Sequence, residues 1–439
     1  MKTAKREWTI LLYTVADRPE LRTYANRTLL DIDQTAGHGG VTTVAQVTLH
    51  SNDADPIRRY DFERSLSPER KTDVENKLQY LPQRDRGPRR NLIDFLVWGQ
   101  QEYPAKRYCV VLQGHAWGAD YSIPSFALTR GGEANSRHAK ARLIFGSPRS
   151  KNHLNNKQLQ KALSSASANG KFHLLGMDSC LMCMAEICYE LRQCADFILA
   201  PEGLGPIAGW PFHPILKNVD REPSIGPAQL GATILKQYSA KYRHFGGNMK
   251  LTISLCSLRY SQQLMRAMKA LVSSLLKGLE NRPVRSAIIR ARLRCEYFRM
   301  PNYIDLCHFC ELLLGEPAVQ ADSALRHACI KVMAAIKQRF IEQVALRRGR
   351  TGEFGLSIFF PKWQIGGKKR PSRLEPPPLH DPFEVPNTLA KAAAKIDAAY
   401  ADHEFADQSG WKKFLLKFVK ARFVTRRPNL KARGVSNLS

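Results

Sequence analysis

No run of about 18 consecutive apolar residues occurs in this chain, so a membrane-spanning helix is not expected. The first residues, MKTAKREWTILLYTVADRPE, start basic, but no small-residue cleavage site follows their apolar stretch. They read as a strand rather than a signal peptide. Acids are scarce: 39 Asp and Glu stand against 67 Lys and Arg, a net charge of +28. From Trp411 onward there are nine Lys or Arg and no acid at all. Such an excess favours acidic partners, nucleic acid or an anionic surface among them. Yet helix-turn-helix, zinc-finger and RRM signatures are missing, and so is any internal repeat.

What is present builds a core. Apolar residues make up 44% and charged residues 24%, which excludes a disordered chain. The 439 residues suffice for one large α/β domain or two to three ordinary ones. Ten cysteines without a secretion signal point to reduced thiols and a cytoplasmic location. Two CxxC pairs, Cys180 with Cys183 and Cys307 with Cys310, have zinc-like spacing. Both fall in expected helix, far apart and without a Gly-rich knuckle, so they read as buried helix cysteines and no metal site is expected.

Apolar, β-branched runs of strand length occur at Trp8–Val15, Val41–Leu49, Tyr108–Gln113, Phe172–Met177 and Phe197–Ala200, with a short edge strand at Arg58–Glu63. Helical spacing intervenes at Asn91–Gly99 and Leu181–Cys194. Strands alternating with helices predict a mostly parallel sheet covered on both faces. Beyond Pro214 helices dominate, at Pro227–Arg243, Ser261–Leu279, Tyr303–Leu314 and Ser323–Arg347. Strand-like runs at Met249–Leu258 and Gly355–Pro361 are expected to return to the same sheet. Trp411, Phe414, Leu415 and Phe418 recur at helical spacing and predict a helix packed on the body.

In open parallel sheets, chemistry gathers at the carboxyl ends of strands. His115 follows one such end, in Gln113-Gly114-His115-Ala116-Trp117-Gly118, and Cys180 another, in Met177-Asp178-Ser179-Cys180. Two adjacent strands ending in His and Cys can aim both side chains into one crevice, and an imidazole is a common activator of a thiol. A helix starting just after Cys180 is expected to stabilise a thiolate through its dipole. The alternative reading is a small buried cysteine and a hydrogen-bonded histidine.

These blocks together resemble the clostripain-like cysteine peptidases, a family with the caspase-like fold. WTILLYTVAD is similar to the family's first strand, YPAKRYCVVLQGHAWG to its histidine block, and LLGMDSCLMCMAEICYELRQCADFILAPEGLGPIAGWPF to its cysteine block. Tyr303–Leu306 and Gly355–Pro361 match further landmarks, so the similarity runs from about Trp8 to the Trp411 region. It implies a three-layer αβα sandwich with a mostly parallel sheet and a mainly helical C-terminal region. The expected division is a catalytic core at 1–219, a helical region adding strands at 220–363, a Pro- and Lys/Arg-rich loop at 364–387, and a helical segment with a basic tail at 388–439.

Carried over by position, the resemblance makes Cys180 the nucleophile and His115 the general base and acid. The backbone N–H groups of Ala116 and Cys180 would form the oxyanion hole. The family usually has Gly where this chain has Ala116, which is compatible only with a negative φ or tolerated strain. Asp178 would line a pocket for Arg in preference to Lys, the guanidinium being the better bidentate partner. Its other reading is a helix N-cap. Glu202, at another strand end, is a weaker pocket candidate. Some relatives mature by cutting between the histidine and cysteine blocks. Arg149 is a candidate self-cleavage site there, the alternative being a solvated basic loop. No cofactor is expected. Clostripain itself depends on calcium, but no EF-hand-type loop occurs here from which such a need could be read. The partner expected is a peptide or protein with a basic residue before the scissile bond. The rival function is a protein on an inactive scaffold of this fold that binds nucleic acid or an anionic surface through its basic tail.

Overall fold

The computed structural model describes residues 6–35, 40–49, 53–62, 80–118, 145–146, 153–167, 170–243, 251–298, 301–346, 352–361, 388–401 and 403–424. The sequence-predicted linker at 364–387, Arg149 and the tail beyond 424 lie outside those residues.

Thirteen strands are described: β1 (Arg6–Val15), β2 (Val41–Thr48), β3 (Ile57–Asp61), β4 (Tyr80–Pro82), β5 (Ala105–Gln113), β6 (Phe145–Gly146), β7 (His153–Leu154), β8 (Phe172–Asp178), β9 (Ala195–Ala200), β10 (Thr252–Ser257), β11 (Tyr303–Asp305), β12 (Ile341–Leu346) and β13 (Ser357–Phe359). Nine form one sheet in the order β12-β10-β9-β8-β5-β1-β2-β3-β4. Its centre, β9-β8-β5-β1-β2, is parallel throughout. Antiparallel strands complete both edges.

The central strands are apolar without alternation because both faces are covered. Along β1, Leu11 and Tyr13 enter one core cluster while Trp8, Ile10 and Leu12 enter the other. Alternate side chains of a strand point to opposite faces, so one continuous apolar run feeds two cores. Helices Pro19–Asp33, Phe212–Arg221 and Pro227–Tyr242 cover one face, and helices such as Pro88–Glu102, Asn156–Ala166 and Ser261–Gly278 cover the other. This is the α/β sandwich expected from the sequence. Leu230 and Ile234, beyond residue 219, share one core cluster with Ile10 and Leu12.

Three local expectations differ from the structure. The run at Gly355–Pro361 does not join the large sheet: β13 pairs antiparallel with β11, and Ser357 also bridges Met184. The edge beside β9 is already occupied by β10 and then β12. The helix expected over Ser323–Arg347 ends at Ala335, where a π-helical turn at Ile336–Phe340 leads into β12. Likewise Tyr303–Leu314 is strand β11 followed by a helix from Leu306, capped by Asp305 through its bond from the His308 N–H at 2.8 Å.

The C-terminal helix Trp411–Val424 packs as its spacing predicts. Trp411, Phe414, Leu415 and Phe418 are buried, and three of their rings surround Phe360 edge-on. The Trp411 indole donates to the Phe359 carbonyl at 2.9 Å. The segment before it is tied to helix Ala185–Glu190, since the Tyr400 hydroxyl donates to Glu186 Oε1 at 2.8 Å. No helix among the described residues is long and apolar enough to cross a membrane.

Candidate active site

The register of two strands positions the site. β5 and β8 are adjacent and parallel, and Gln113 pairs with Asp178 at their carboxyl ends. Counting two residues beyond each member of that pair reaches His115 and Cys180. Both side chains line one cleft of about 110 Å³, together with Asp178, Gln113 and, from the first helix, Leu21 and Tyr24.

The chain after Cys180 is not helical. Its helix begins only at Ala185 and is six residues long, so the dipole expected at the thiol is absent. Instead the 180–183 segment runs beside 201–205: the Leu181 N–H donates to Gly203 O at 2.8 Å and the Cys183 N–H to Pro201 O at 2.9 Å. Leu181 turns the backbone with φ 60, the one positive-φ non-glycine residue among those described. Such strain persists where surrounding bonds hold it, here directly after the candidate nucleophile. The Gly205 N–H points at Cys180 Sγ at 3.4 Å and supplies the stabilising dipole that the helix does not. Sequence reasoning missed this donor because it comes from a loop distant in the chain.

Burial pushes the Cys180 pKa up, against the pull of the Gly205 N–H, with the Asp178 carboxylate adding to the rise. His115 moves the other way: burial, then the nearby Arg18, lower its pKa, while Asp17 and Glu20 oppose. Its Nε2 is buried and meets no hydrogen-bond partner among the described residues. Both shifts favour the uncharged form of each group.

Ala116 needs no strained backbone, because it is not among the positive-φ residues. A glycine is not required there. It is required at Gly118, whose φ is +72 and where a Cβ would lie 2.8 Å from Met184 Sδ and 2.9 Å from the Tyr303 ring. The histidine segment thus lies hard against the cysteine segment.

Asp178 is the last residue of β8 and caps no helix. Its Oδ2 accepts from Gln113 Nε2 at 2.9 Å and from the Trp210 N–H at 3.1 Å. Gly209, at φ +57, leaves room for that carboxylate, since a Cβ there would stand 2.6 Å from Oδ2. Oδ1 accepts no bond from a described residue. Lys241 is close, but its Nζ is tethered to the carbonyls of Ala208 and Gly209 at 2.8 and 3.0 Å. Burial raises the Asp178 pKa, and the bonds from Gln113 and Trp210 and the Lys241 charge restrain it.

Glu202 does not line the cleft. It is fully buried, its Oε2 accepts from the Gly355 N–H at 3.0 Å, and it lies against Asp305, whose Oδ2 accepts from the Phe354 N–H at 2.6 Å. The two carboxyls fasten the turn before β13 to the end of β9. Burial, and then the neighbouring Asp305, push Glu202 well above the usual carboxylate range, and burial raises Asp305 to about 7. A raised folded-state pKa contributes stability that is complete below about pH 4 and lost as pH rises through about 7. The urea midpoint is therefore expected to fall across that window, and Glu202→Gln to flatten the fall. An equal or steeper fall in the variant would show that the pair does not hold a proton.

A family model, the clostripain family (Peptidase_C11), matches residues 63–365. The chain belongs to the clostripain family. It is accordingly a cysteine peptidase acting on peptide substrates. Among solved structures it is similar to a secreted C11 cysteine protease of Bacteroides thetaiotaomicron in complex with an irreversible peptide inhibitor. That match has 15% identity and a TM-score of 0.58, and covers 93% of this chain and 99% of that one. It is also similar to an inactive zymogen C11 protease of Parabacteroides distasonis, at 18% identity and TM-score 0.53, covering 82% and 94%. A third, the secreted B. thetaiotaomicron protease titled iotapain, aligns at 14% identity and TM-score 0.51, covering 81% and 94%. These likenesses establish the clostripain-family fold, a large sheet flanked by helices. Among curated proteins none matches in sequence.

Among the described residues, the one group of three or more potential ligand side chains close enough to share an ion is Cys183, Cys188 and Cys256. Calcium takes oxygen ligands, so a sulfur trio does not fit it, and no step is derived through that ion.

Proposed function

We propose that this clostripain-family peptidase cleaves internal peptide bonds after Arg, and less readily after Lys, through a Cys180–His115 dyad. The supporting observation is the Gln113–Asp178 register, from which both residues line the same cleft, beside a carboxylate with one oxygen that accepts no bond from a described residue. The basic side chain of a substrate enters beside Asp178, where Oδ1 accepts from the guanidinium. Arg is favoured because its planar fork is less strongly hydrated than an ammonium.

With substrate bound, His115 takes the Cys180 proton as Sγ attacks the carbonyl carbon. The oxyanion is held by the N–H groups of Ala116 and Cys180. His115 then returns the proton to the leaving amine, and the acyl-enzyme is hydrolysed by water that His115 deprotonates. Self-cleavage after Arg149 would use the same pocket, and one structural relative is described as an inactive zymogen. All ten cysteines are unpaired, which supports a reducing, cytoplasmic setting. The basic tail is left as an accessory contact to anionic surfaces.

The test is a peptide panel differing only in the residue before the scissile bond. Cleavage is expected after Arg, then Lys, with an uncharged or Asp residue at least about 100-fold slower, as the loss of one buried charge pair predicts. Preferential cleavage after Asp would overturn the pocket assignment.

A further inference from the structure

The peptidase chemistry uses one cysteine, yet three others meet in the core. Cys183 lies on the segment after Cys180, Cys188 on helix Ala185–Glu190, and Cys256 on β10. All three are buried, and their sulfurs lie within 4.8 Å of one another, with Cys183 and Cys256 at 3.5 Å. A metal–sulfur bond of about 2.3 Å in a trigonal arrangement separates the sulfurs by about 4 Å. The cluster is therefore close to the size of a three-sulfur ligand set, and it converges from three elements that the fold alone brings together.

We propose that Cys183, Cys188 and Cys256 form a binding site for a soft d¹⁰ cation, Cu(I), held three-coordinate by sulfur. Soft thiolate ligands select this class of ion. Zn(II) in a structural site takes four protein ligands, and only three converge here among the described residues. Each S–H that becomes a thiolate ligand releases one proton to solvent.

The position gives the site a consequence. The Cys183 carbonyl accepts from both the N–H and the hydroxyl of Ser357 at 3.0 Å, and its N–H holds Pro201. An ion at the trio would tie the segment carrying Cys180 to β10 and to the helix behind it. Loading should therefore raise thermal stability.

The experiment uses full-length Cys180→Ala protein, so the cleft thiol cannot take the probe and no catalytic reading is needed. Protein from cells grown with added copper is purified anaerobically, assayed for metal, and titrated with the Cu(I) complex of bathocuproine disulfonate. One equivalent of Cu(I) per chain is expected, with a higher Tm for the loaded form. Adding Cys188→Ala or Cys256→Ser should weaken binding at least tenfold and cancel the Tm rise. Cys310→Ala, a buried cysteine outside the trio, should change neither. Absence of Cu(I) in both the purified and titrated protein would overturn the proposal, as would equal binding by the trio variants. Should one trio variant fold poorly by circular dichroism, the other decides.

Discussion

Cys180→Ala is expected to lower kcat for an Arg-containing peptide by about 10⁴-fold or more, and His115→Ala to do nearly as much, because members of one catalytic unit fail together. The double variant should be scarcely worse than either single one. The pH dependence follows from the resting state. The thiol pKa is raised and the imidazole pKa lowered, and both shifts favour the neutral form. His115 is the base and must be unprotonated, so the acid limb of kcat/KM should lie below the ordinary histidine value of about 6.5. Alkylation of Cys180 by iodoacetamide should rise steadily through pH 8 and 9, with no plateau near neutrality. A reactive plateau at pH 5–6 would reveal a preformed thiolate–imidazolium pair. Activity surviving in Cys180→Ala would remove the mechanism altogether.

Asp178→Asn should cut kcat/KM for Arg peptides by about 10²- to 10³-fold, since removing one member of a desolvated charge pair costs 2–5 kcal/mol. The substitution isolates charge from structure. Oδ2 alone accepts the bonds from Gln113 and Trp210, and the amide oxygen of Asn can accept both. Peptides with an uncharged residue at that position should lose less than about threefold. A uniform loss across the panel would mean that Asp178 supports the loop rather than the substrate.

Much of this architecture is written locally. WTILLYTV and YCVVLQ are continuous apolar runs, and such runs become central parallel strands because both faces of the sheet are covered. The spacing of Trp411, Phe414, Leu415 and Phe418 yields one buried helix face. Apolar spacing alone does not fix the local structure everywhere. Leu181–Cys194 carries apolar residues at helical spacing, yet its first turns are extended. Leu181, Met182 and Cys183 are buried between the histidine segment and the 201–205 loop rather than along one helix face. Glu202 follows a strand end, like Asp178, but its strand neighbours β10, whose elements close over it.

The sequence by itself determined the central strands, that the sheet is parallel at its centre, and that a histidine and a cysteine each follow a strand end. Those properties depend on side-chain period and burial preference, which neighbouring residues carry. Only the tertiary structure decided that Gln113 stands beside Asp178, that Gly205 rather than a helix faces the thiol, that β13 pairs with β11, and that Cys183, Cys188 and Cys256 converge. Register and convergence are set by contacts between residues far apart in the chain, and no local pattern encodes which distant partner arrives.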